Sequence, residues 1–111
     1  MSRPDTGVST GHAARGDHTK IHQLTGFQRD LLYCIAGLDR PSGQSIKEKL
    51  EERSDRQITH GRLYPNLDTL VESGVVTKGE IDRRTNYYAI ADEGIEALQA
   101  YHEWADSQLP N

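Results

Sequence analysis

Between Thr59 and Ala91 the chain reads THGRLYPNLDTLVESGVVTKGEIDRRTNYYAIA, and no other stretch restricts the fold so tightly. Thr59 is placed to cap a helix, its hydroxyl accepting from the free N–H groups of the first turn. Leu63, Leu67, Leu70 and Val71 then recur at helical spacing and make one apolar stripe. Ser73-Gly74 ends that helix, because glycine tolerates the left-handed conformation that a helix C-terminus favours. Val75 to Ile81 and Asn86 to Ile90 are β-prone runs, joined by Asp82-Arg83-Arg84-Thr85 into a hairpin with two adjacent cations at its tip. A helix followed at once by a cationic hairpin is the reading half of a winged helix-turn-helix. The fold expected is mainly α with one small β-hairpin.

The rest of the chain divides around that stretch. Residues 1–23 are rich in Gly, Ser, Thr, His and Arg and are expected to form a flexible arm, since little apolar surface is available to order them. Residues 24–91 form the winged helix-turn-helix. Its first helix runs from the cap Thr25 to Leu38, with Phe27, Leu31, Cys34, Ile35 and Leu38 on one face. Ser42 caps a second helix that reaches about Arg53 and carries Ile46 and Leu50 as apolar anchors. Residues 92–111 form a last helix, capped by Asp92 and ending near Gln108. That helix has two apolar stripes. Ile95, Leu98, His102, Ala105 and Leu109 make a heptad-like seam, and Ala97, Tyr101 and Trp104 lie on an adjoining face. A helix apolar on more than one face must bury more than its own domain covers, and a second copy of the chain is the economical answer. Phe27 and Leu31 are expected to pack against that seam.

Composition narrows the function. At 111 residues the chain is one domain, and no apolar run approaches the roughly 18–20 residues of a membrane span. The single cysteine, Cys34, rules out an internal disulfide framework and fits a reducing cytoplasm. No Gly-rich phosphate loop, Cys/His metal spacing or Ser-His-acid order is present, so neither an enzyme nor a cofactor or metal site is expected. The net charge of −4 is unevenly spread. From Arg53 to Ile90 six cations face five anions, whereas from Ala91 onward there are five acids and no lysine or arginine. Arginine outnumbers lysine nine to four, a balance suited to a cell with high internal salt.

In helix-turn-helix proteins the helix after the turn enters the major groove and the preceding one crosses the backbone. Counting 100° per residue from Leu67 puts Arg62, Pro65, Asn66 and Thr69 on the outer side, with Thr59 and Gly61 at the helix start and Tyr64 beside the buried stripe. Arginine reads guanine and asparagine reads adenine through paired hydrogen bonds. Lys78, Arg83 and Arg84 on the hairpin suit phosphates or a narrow minor groove. Double-stranded DNA is the expected partner. The alternative is a winged-helix module that docks a protein without specific DNA binding, for which the acidic balance speaks.

The Leu63-Tyr64-Pro65-x-Leu67-x-x-Leu70 core, Gly74 after the helix, the wing ending in Tyr87-Tyr88 and the following Asp92-Glu93-Gly94 resemble the PadR-like family of transcriptional regulators. The closest likeness is to the short form with one C-terminal dimerisation helix. The resemblance implies a homodimer on a pseudo-palindromic operator, each recognition helix in a major groove with its wing beside it. It also implies a small-molecule effector of unknown identity, with Trp104 placed to stack on a planar aromatic.

Overall fold

The computed structural model describes residues 20–111. In chain order these form α1 (Lys20–Gln23), α2 (Gly26–Gly37), α3 (Gly43–Ser54), α4 (His60–Glu72), β1 (Val76–Glu80), β2 (Asn86–Ile90) and α5 (Asp92–Ser107). The result is a helix-dominated winged helix. Helices α2, α3 and α4 pack on one another, and the hairpin closes the open side of the group against α2, α3 and α4.

Each helix of that trio begins at a side-chain cap read from the sequence. Thr25 accepts from the N–H of Gln28, whose own side chain returns a bond to the Thr25 N–H, a complete capping box. Ser42 accepts from Ser45 N–H at 3.1 Å, and Thr59 from Arg62 N–H at 3.1 Å. The end of α4 is a Schellman motif. Val75 N–H donates to Leu70 O and Gly74 N–H to Val71 O, with Gly74 at φ +82°.

The core lies where these elements meet. Leu31, Leu32 and Ile35 of α2 pack with Ile46 and Leu50 of α3, Ile58 of the turn, and Leu63, Leu67 and Leu70 of α4. Val75, Val76 and Tyr88 seal it from the hairpin side. The strands pair antiparallel with Val76 opposite Ile90, Lys78 opposite Tyr88 and Glu80 opposite Asn86. The hairpin is also stitched to the helices, since Tyr88 N–H donates to Pro41 O at 2.8 Å and Ala91 N–H to Val75 O at 3.0 Å. In the turn before α4, a carboxylate oxygen of Glu51 accepts from Ile58 N–H at 2.7 Å and lies 3.0 Å from Lys47 Nζ. The bond from Ile58 and the nearby ammonium hold that carboxyl below its usual range.

Three expectations require correction. Within the stretch 1–23 expected to be a flexible arm, Lys20–Gln23 is instead one helical turn against α5, and Ile21 is buried in the core. Residues 1–19 lie outside the described residues. Asp92 is not the cap of α5 but its first residue; Ala91 occupies the cap with no side-chain bond, and Asp92 and Glu93 instead favour the positive end of the helix dipole. Leu31 and Leu98, assigned to a dimer seam, are buried within the single chain. The reason is the register of α5: Gly94, Ala97, Leu98 and half-buried Tyr101 follow i, i+3, i+4, i+7 and form its inward face.

Candidate nucleic-acid interface

Exposed arginines lie on the first turns of α4, at Arg62, and at the wing tip, at Arg83 and Arg84. His60, Gly61, Arg62, Tyr64 and Pro65 are all exposed on α4. Pro65 sits inside a helix that continues to Glu72, so its missing N–H leaves one helical bond unmade. Side chains bond to the carbonyls just beyond the gap: Asn66 Nδ2 donates to Arg62 O at 2.7 Å and Thr69 Oγ1 to Pro65 O at 3.1 Å.

Those bonds change the outer face from the one expected. Arg62 and Pro65 point outward, whereas Asn66 and Thr69 are half-buried. Asn66 Oδ1 accepts from Gln28 Nε2 at 2.8 Å, so both ends of its amide are engaged within the chain. The Arg62 guanidinium lies over the Phe27 ring, 3.9 Å from its centroid. Stacking on a ring fixes the guanidinium plane and leaves its edge donors free. Phe27 therefore buttresses α4, a role distinct from the dimer contact expected of it. Tyr64, read as lying beside the core stripe, is 37 % exposed and meets the His60 ring edge-on at 5.6 Å.

At the wing, Asp82 Oδ1 accepts from the N–H groups of Arg84 at 2.9 Å and Thr85 at 3.0 Å, and Ile81 N–H donates to Thr85 O at 2.8 Å. The acid at the tip is thus used to shape the turn. Arg83 and Arg84 are exposed and form no ion pair among the described residues. Lys78 is drawn back toward α4, its ammonium 3.9 Å from Asp68 and 6.0 Å from the Tyr88 ring centroid. Both ends of that ion pair are solvated, so it holds Lys78 only weakly. Arg40, which the sequence did not single out, lies over the Tyr87 ring at 5.1 Å. The wing and α4 share a cavity of about 320 Å³ with the start of α3, and Tyr64 and Arg84 both line it.

The residues expected at a dimer surface differ in exposure. Ile95, Trp104 and Leu109 are exposed, with His102 exposed and Ala105 half-buried beside them. Ile95, His102 and Leu109 are seven residues apart, one heptad position repeated. Tyr101 is half-buried under Arg29, 4.8 Å from its ring centroid, and His22 packs on both Tyr101 and Trp104. A larger cavity of about 830 Å³ opens between α2, α3 and the second half of α5, lined among others by Tyr33, Lys49, Arg53 and His102. Cys34 borders it; burial pushes its thiol up, against the opposing pull of Lys49. Among the described residues no cluster of His, Cys, Asp or Glu is grouped to hold a metal, and no helix is long and apolar enough to cross a membrane.

This arrangement matches known proteins over most of its length. The profile of the transcriptional regulator PadR-like family matches residues 31–100. The chain belongs to that family. Three solved structures of RosR resemble it, one of them RosR of H. salinarum grown from NaBr, at 46% identity and TM-score 0.73, covering 77% of this chain and 76% of that one. The complex designated hsRosR-S4 has TM-score 0.78 at 43% identity, covering 83% and 80% of the two chains. The complex designated hsRosR-S1 has TM-score 0.75 at 45% identity, covering 78% and 77%. No curated protein sequence matches the chain. As a PadR-like protein the chain is a transcriptional regulator, and the helix that follows its wing is α5, Asp92–Ser107.

Proposed function

We propose that this PadR-like regulator binds DNA sequence-specifically as a homodimer. The observation that carries the reading is the shared face of α4 and the wing: Tyr64 and Arg84, twenty positions apart in sequence, line one cavity. In this reading Thr59, Gly61, Arg62 and Pro65 enter the major groove, and Tyr64 meets the backbone at its edge. Gly61 has open space where a side chain would be, which allows close approach of the backbone. Arg83 and Arg84, with Lys78 behind them, neutralise phosphates or enter the narrow minor groove. Asn66 and Thr69 shape the face: Asn66 braces the backbone at Arg62, which is the base reader.

Two copies associate through the outward face of α5, with Ile95, His102 and Leu109 as the seam and Ala105, Tyr101 and Trp104 along its side. A two-fold pair places two α4 helices on successive major grooves, about 34–36 Å apart. Regulation follows from occupancy of the operator.

The test is selection of bound duplexes from a random pool by the wild type and by Arg62→Ala. The variant should lose roughly 1–3 kcal/mol and relax preference at one base position in each half-site. Identical sequence profiles for the two proteins would remove Arg62 as the reader.

A further inference from the structure

The cavity shared by α3, α4 and the wing contains a buried donor without a partner. Tyr88 is 1 % exposed and lines the cavity, yet its hydroxyl makes no hydrogen bond with any described residue. Buried hydroxyls are seldom left so, because the lost water is not replaced. Burial, and then Asp68 and Tyr64 nearby, push this phenol up, so it keeps its proton.

The other groups around the cavity are also donors. Gln44 is the second residue of α3, and its backbone N–H has no acceptor within the helix. The first turn of α3 holds no acid, and none of the residues lining the cavity is acidic. Gly43 allows the Tyr64 phenol to lie across the start of α3; an added Cβ would meet its Oη at 2.7 Å. Arg84 lines the cavity from the wing and has no ion-pair partner among the described residues.

We infer that this cavity seats one backbone phosphate of the bound duplex, with Tyr88 as its hidden donor and Tyr64, Gln44 N–H and Arg84 around it. The inference rests on the DNA-binding reading above. Its consequence is geometric. One phosphate bonded to α3, α4 and β2 together fixes the angle of the wing to the helices at the moment of binding.

The experiment uses the full chain, the operator duplex and a series of duplexes with single methylphosphonate linkages, read by fluorescence anisotropy. Tyr88→Phe should weaken binding about ten-fold on operator and unrelated duplex alike. One linkage should weaken the wild type similarly, yet cost Tyr88→Phe much less, because the lost partners are the same. Tyr64→Phe should show the same non-additivity at that linkage, which guards against a folding defect in the first variant. Unchanged affinity of Tyr88→Phe, or losses that add at every linkage, would overturn the seat and leave DNA binding intact. A wild type that binds no duplex would overturn both.

Discussion

Gly94→Ala sets two effects of known size against each other. Gly94 is the third residue of α5, where alanine would ordinarily be favoured by up to about 1 kcal/mol. Here a Cβ would lie 2.3 Å from Val75 O, 2.8 Å from Ile90 Cγ1 and 3.2 Å from Val75 C. The carbonyl cannot simply retreat, because it accepts the Ala91 N–H at 3.0 Å and so ties the end of β2 to the start of β1. Relief therefore requires α5 to move away from the hairpin. Overpacking of this kind costs roughly 1–3 kcal/mol, occasionally more, and a lost backbone bond adds about 1 kcal/mol. After the gain in helix propensity, the net loss is about 1–3 kcal/mol. For a domain of this size that lowers the melting temperature by roughly 5–20 °C, read by far-UV circular dichroism. A Gly94→Ala protein that melts at or above the wild type would refute the close approach of α5 to β1.

Gly61→Ala is the opposite case: nothing lies within 4 Å of its Cβ position, so melting should rise slightly while DNA affinity falls, measured on one preparation by melting and anisotropy. Ile95→Glu combined with Leu109→Glu should leave the single chain folded, since both residues are exposed in it, but give a monomer at micromolar concentration by light scattering, with melting lowered by the lost association. Leu98→Asp should instead unfold the chain, costing at least the roughly 2–5 kcal/mol of a buried leucine truncation. Glu51 titrates below its ordinary range in the folded chain, so its stabilising contribution is complete above the unfolded carboxylate range and is lost as pH falls through the folded value. Denaturant midpoints of Glu51→Gln should therefore fall less than those of the wild type on acidification below roughly pH 5.

The backbone path was legible because its signals are local. Thr25, Ser42 and Thr59 each cap the helix that follows, and Ser73-Gly74 closes α4, all within a few residues of sequence. Asp82 to Thr85 likewise closes its own turn. The facing of side chains was less legible, because it depends on which neighbour covers a stripe. Both apolar stripes of α5 look alike in sequence, and only the packing of α1 and α2 against the helix selects Ala97 and Leu98 for the core. Asn66 reads as an outward amide until Gln28, 38 residues away, takes its oxygen. Ile21 is a lone apolar residue within a four-residue helix, too short for any periodicity to appear. Tyr64 and Tyr88 carry no local mark of the cavity they line, since they and Ser42 reach it from distant parts of the chain.

In the proposed function, two copies of this chain read one DNA site through α4 and the wing. The most direct measurement is the mass and salt dependence of the complex formed on the highest-ranked duplex selected from a random pool. The expected result is two chains per duplex, half-sites related by a pseudo-two-fold one helical turn apart, and affinity that falls steeply as salt rises. One chain per duplex at full affinity, or a pool from which no sequence is enriched, would contradict it.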